Sequence, residues 1–156
     1  MAVFLRNEHP AIKIDSLDIK LKTQKIMKHL DCLDQEISIL FMKDVDIRQL
    51  NKEFRNVDKA TDVLSFPQNQ DDSLSFHGEK ILGDIAISLD KAKFQAKEHG
   101  LAFKEEIILL LIHGILHLLG YDHEISEREE IKMRKKTREL FKEIFPETIL
   151  ADSCNF

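Results

Sequence analysis

A chain of 156 residues is one domain by length, with a single core burying roughly 68–70% of its unfolded surface. Its composition, 43% hydrophobic and 33% charged, fits a soluble globular protein, and the longest strictly apolar run, Ile107 to Ile112, falls far short of the ~20 residues that span a bilayer. The formal net charge of −5 is an awkward balance for binding a polyanion unless the basic residues cluster locally.

Ala2–Asn7 alternates Val3 and Leu5 against polar neighbours and predicts a first strand. From about Asp18 to Leu30, Ile19, Ile26, Met27 and Leu30 share one side of a helix. Ile37–Met42 reads as a short buried strand, and Asp44–Phe54 as a helix with Ile47, Leu50 and Phe54 turned inward. Asp62–Phe66 is the next strand, stopped by Pro67, and the polar stretch Gln68–Lys80 is an exposed loop or hairpin connection. Ile81–Ser88 predicts a further strand, followed by a helix over Asp90–His99 that Gly100 ends. A helix from about Phe103 to Leu119 is apolar on nearly every side and so belongs in the core. The last helix starts at a capping box, Ser126 with Glu129, and turns Met133, Thr137, Leu140, Phe141 and Ile144 inward until Pro146 closes it. The order β-α-β-α-β-β-α-α-α predicts a mixed α/β (α+β) domain over residues 1–150: a small mixed sheet of about four strands with about five helices around it. Residues 151–156 are a loose tail. Met1–Asn7 lacks a charged-then-apolar signal architecture, and Cys32 and Cys154 have no metal-ligand spacing, so a cytoplasmic protein with reduced thiols is expected.

The chemistry is concentrated in His113-Gly114-Ile115-Leu116-His117-Leu118-Leu119-Gly120-Tyr121-Asp122-His123. Histidines four apart project from one helix face about 6 Å apart along the axis, and two such imidazoles can each reach one Zn²⁺ at ~2.0–2.1 Å. Gly120 permits a left-handed exit from the helix, so that His123 swings back as third ligand. Three protein ligands leave one tetrahedral position open, as in a catalytic zinc site. A lone histidine in an apolar helix is usually a core residue. Two buried unpartnered imidazoles, however, would each cost about 1–3 kcal/mol. The spacing also matches metzincin proteases, in which glutamate follows the first histidine as general base. Gly114 stands there instead, which disfavours a protease.

The segment His113 to His123, together with Leu50–Arg55, Thr61–Pro67 and Leu82–Ile85, resembles the YbeY-type endoribonucleases, a bacterial family of rRNA maturation and ribosome quality control. Thr137 departs from the pattern, since relatives often carry glutamate there. The resemblance implies a mixed α/β fold with metzincin-like geometry at the metal. It also implies a single-strand-specific, metal-dependent endoribonuclease of 16S rRNA 3′ end processing, with one Zn²⁺ per chain on His113, His117 and His123. Further implied partners are the small ribosomal subunit and an assembly GTPase, with neither membrane nor DNA. Arg55 matches an arginine considered functional in the family, and its guanidinium suits phosphate oxygens.

Arg48, Lys52 and Arg55 form one cationic stripe, which spacing alone reads as a solvated helix face. Lys52 and Lys59 are weaker candidates for tracking the RNA backbone. Thr61 and Asp62 either line a cleft edge or cap a turn. Asp84 interrupts an apolar strand and needs a partner if buried, and Asp122 stands ready to accept the free N–H of a ligand histidine, so both are candidates for supporting the metal ligands. The basic run Lys132, Arg134, Lys135, Lys136, Arg138 is placed on the outer face of the last helix, an ordinary charged surface or an rRNA contact. His9, His29, His77 and His99 are scattered and carry no pattern. The nucleophile is left open between water and the RNA 2′-hydroxyl. The rival functions are a zinc hydrolase of the metalloprotease kind and a non-catalytic ribosome-assembly factor with a structural zinc.

Overall fold

The computed structural model describes residues 3–68 and 80–151. Most of the expected Gln68–Lys80 connection, the tail beyond Ala151 and Cys154 lie outside them. The element order is β1 (Val3–Asn7), α1 (Ser16–His29), β2 (Gln35–Met42), α2 (Asp44–Arg55), β3 (Val63–Pro67), β4 (Lys80–Ser88), α3 (Leu89–His99), α4 (Phe103–Leu118) and α5 (Glu127–Ile144). This is the predicted order, and the fold is the expected mixed α/β arrangement.

The four strands form one sheet in the order β1-β2-β4-β3. β1 and β4 both run parallel to β2, while β3 pairs antiparallel with β4, placing Ser65 opposite Ile85 and Phe66 opposite Asp84. Pro67 is the last residue of β3, on the sheet edge, where a missing N–H is tolerated. Side chains alternate between the faces. Val3, Ile37, Ile39, Phe41, Ile85 and Ile87 join the main core with α1, α3, α4 and α5. Leu64, Ala86 and Met42 face the other way, where Ile47 of α2 covers them.

Local signals set the helix ends. Asp15, Ser88 and Ser126 each accept a first-turn N–H, from Asp18, Lys91 and Glu129, and satisfy donors that a helix start leaves open. Gly100 ends α3 at φ +68°. α4 is buried continuously from Glu106 to Ile112, as its all-round apolar pattern requires, and lies against the sheet with α1, α3 and α5 packed around it. Thr137 is buried in α5 and satisfies its hydroxyl on the Met133 carbonyl at 2.8 Å. Phe54 departs from expectation: it is 66% exposed, because it stands at the rim of α2 and meets the Phe66 ring edge-on at 5.6 Å. No helix of the described residues is long and apolar enough to cross a membrane.

Candidate metal centre

The end of α4, the turn after it, the end of α2 and strand β3 converge on a polar cleft of about 580 Å³. α4 can lie this close to β3 and β4 because residue 114 has no side chain: a Cβ there would come within 2.9 Å of Ile85 Cδ1. The Ser65 hydroxyl fastens the contact by donating to the Gly114 carbonyl at 3.0 Å. His113 and His117, one turn apart, present their Nε2 atoms 3.0 Å from each other. Gly120 then takes φ +97°, and the N–H groups of Gly120 and Tyr121 return to His117 and Leu116 at 3.0 Å each. Asp122 Oδ1 accepts the Glu124 N–H at 2.9 Å and tightens the loop that brings His123 back. One ring nitrogen from each histidine lies within 4.8 Å of the others.

These residues fit a bound metal on three counts. Two nitrogens 3.0 Å apart come near the ~3.3 Å edge of a tetrahedral zinc site with 2.0–2.1 Å bonds, and a nitrogen of the third ring lies within 4.8 Å of both. His123 Nδ1 is buried with no hydrogen-bond partner among the described residues, an orphan that ordinary packing would not leave. The two helix rings, His113 and His117, are also biased towards the neutral form that a ligand needs. Burial, and then the neighbouring His117, push the His113 imidazole down to about 4 against the opposing charge of Asp62. His117 is lowered as well, chiefly by burial and then by His123. The three-histidine cluster is able to bind a metal.

Around it the cleft is lined by Arg55 and Thr61 to Val63 on one side and Asp122, Glu124, Glu130 and Arg134 on the other. Arg55, the exposed last residue of α2, is near enough for its charge to act on His117. Asp62 turns Oδ1 to the Val63 N–H at 2.8 Å and so caps the strand while facing the cleft. Asp122 lines the cleft near enough for its charge to act on His117, while its carboxylate accepts the Glu124 N–H. Lys52 and Lys59 are exposed and are not among the lining residues.

Asp84 corrects the sequence reading. Ile85 and Ile87 face α4, so alternation turns Asp84 to the opposite side of the sheet, where it accepts from Gln68 Nε2 at 3.2 Å in an apolar groove of about 650 Å³. It cannot support the histidines from there. Arg134 corrects it in the other direction. The basic-run pattern places it on an outer face, but α5 rolls it to the cleft wall, where Nη2 holds Glu130 at 3.1 Å and Nε is buried with no partner among the described residues. A signal was available, since Arg134 directly follows the inward-facing Met133.

Fold and site define a small mixed α/β protein whose buried central helix and following turn carry a three-histidine metal-binding centre. The family model described as endoribonuclease YbeY matches residues 4–145, and this chain belongs to that family. Relatives named endoribonuclease YbeY are 50% identical over 126 residues in Persephonella marina (81% of each chain), and 45% over 127 residues in a Sulfurihydrogenibium species (81% and 82%). A third, from Syntrophus aciditrophicus, is 38% identical over 142 residues (90% and 88%). The solution structure of a Thermotoga maritima protein superposes with a TM-score of 0.64 at 28% identity, covering 93% of this chain and 90% of that one.

Proposed function

We propose that this chain is a metal-dependent endoribonuclease of rRNA maturation, acting on single-stranded segments such as the 16S 3′ end, with Zn²⁺ held by His113, His117 and His123. The observation that carries the reading is the convergence of three imidazoles and the Arg55 guanidinium on one polar cleft. When bound, a divalent metal supplies Lewis-acid stabilisation to a phosphate oxygen. Arg55 offers two parallel donors to the scissile phosphate and offsets the negative charge that grows on it in the transition state. Arg134 lines the same cleft and supplies a second cation to it. Asp62 and Asp122 each commit one carboxylate oxygen to a backbone N–H, which holds the cleft edges in place. Lys52 and Lys59, outside the cleft, would meet only a longer RNA strand. The action is cytoplasmic, with the small ribosomal subunit and an assembly GTPase as partners by family resemblance.

Packing argues against the protease alternative. A glutamate at 114 would have to begin with a Cβ 2.9 Å from Ile85. A purely structural zinc gives no reason for an open cleft with an arginine on each side.

Elemental analysis of the purified protein beside a His113→Ala/His117→Ala/His123→Ala variant, with cleavage of an rRNA fragment measured on both, tests the assignment. Stoichiometric zinc and cleavage in the first and neither in the second are expected. Zinc retained by the triple variant, or RNA left intact while casein is cut, refutes it. A 2′,3′-cyclic phosphate end identifies the RNA 2′-hydroxyl as nucleophile, and a direct 5′-phosphate product identifies water.

A further inference from the structure

Glu106 lies on the fully buried part of α4, where a carboxylate is rare unless paired. Its partner is His99 of α3, whose Nδ1 stands 2.8 and 3.1 Å from the two carboxylate oxygens. Burial raises the Glu106 carboxyl above its ordinary range, and the imidazole opposes that rise. If the pair only joined two helices, apolar residues would do so as well or better. Instead it borders a cavity of about 50 Å³ whose wall also includes Asp62, Gln95, Leu110 and the ligand His113. Glu106 and His113 share one helix face about 10 Å apart along the axis, too far to touch directly. The cavity is where they meet. It has room for a water and polar groups on enough sides to hold one. Asp62 stands within electrostatic range of both residues.

We propose that Glu106 and His99 are positioning residues for His113, acting through an ordered water that the cavity holds between Glu106, Asp62 and the His113 ring. A ligating imidazole passes its second N–H to a carboxylate, carbonyl or water, and that partner fixes the ring and raises its basicity. Glu106, fixed by His99, is the far anchor of such a relay. This inference rests on the metal-centre reading above.

The test is zinc affinity, measured by competition with a chromogenic chelator, beside the melting temperature of the metal-free protein. Glu106→Gln keeps the size and the hydrogen bond to His99 but removes the charge. The double variant His99→Leu/Glu106→Leu replaces the pair with apolar groups and displaces the water. Each is expected to bind zinc about 10–100-fold more weakly than wild type, with the double variant keeping its metal-free melting temperature. Wild-type affinity in either folded variant overturns the proposal and leaves the pair a helix clamp. A wild-type protein that binds no zinc overturns the metal-centre reading instead. If neither variant folds, Gln95→Leu decides, because it lies at a half-exposed position of α3 and narrows the same cavity. A severalfold loss of zinc affinity there supports the relay, and an unchanged affinity overturns it.

Discussion

Replacing Gly114 by alanine adds one methyl group between α4 and the sheet, and its effect can be worked from two opposing quantities. In a helix interior the exchange of glycine for alanine gains about 1 kcal/mol. Here the new Cβ would sit 2.9, 3.1 and 3.3 Å from Cδ1, Cγ2 and Cγ1 of Ile85. Crowding of that kind costs about 1–3 kcal/mol. The expected net effect is a loss of up to about 2 kcal/mol. In an Ile85→Ala background, itself about 2–5 kcal/mol less stable, all three contacts are gone and only the helix gain remains. Gly114→Ala should then stabilise by about 1 kcal/mol. Urea unfolding of the four proteins in a double-mutant cycle, with chelator present and the m-value unchanged, reads both signs. A loss, or a gain, of the same size in both backgrounds would show that close approach to Ile85 does not explain the glycine.

Arg55→Ala, at an exposed helix end, should keep stability within about 0.5 kcal/mol and lower kcat by about 10²–10³-fold in an RNA cleavage assay, with Arg55→Lys intermediate. With two guanidiniums on the phosphates, a plot of log binding constant against log salt for single-stranded RNA should slope about −1.4, and Arg134→Ala should flatten it by about 0.7. His113 is held near 4 in the folded metal-free chain and near 6.5 in the unfolded one, so between those values the unfolded state binds more protons. The metal-free melting temperature should therefore fall as pH drops from about 6.5 towards about 4, and His113→Gln should fall less steeply. Burial pushes the Cys32 thiol up to about 11, so in a Cys154→Ser background an alkylating reagent at pH 8 should label the protein only after it unfolds.

The backbone plan was legible because nearly every segment carries its own period and stop signal. Ser126 caps α5, Gly100 and Gly120 take positive φ, and α4 is buried as its unbroken apolar run demands. The three histidines were legible for the same reason, since helix spacing and one glycine fix how the rings approach each other. What could not be read was which face an isolated polar residue takes. Asp84 turns away from the histidines because its neighbours Ile85 and Ile87 claim the α4 side, a fact of sheet pairing that no local pattern contains. Within the basic run of α5, charge alone does not single out Arg134; the neighbouring inward-facing Met133 hints at its side, and the roll of α5 brings it to the cleft. His99 looked scattered because its partner Glu106 comes from the next helix, and their 2.8 Å contact exists only once α3 and α4 are packed.

His123 lies past the last turn of α4, on the short stretch that leads into α5. A cation shared by that ring and the two on the helix would therefore pin the root of α5, and with it the wall that carries Glu130 and Arg134. Loading the ion and gripping the strand then become linked equilibria, and by reciprocity the nucleic acid must raise the affinity for the metal by the same factor as the metal raises the affinity for the nucleic acid.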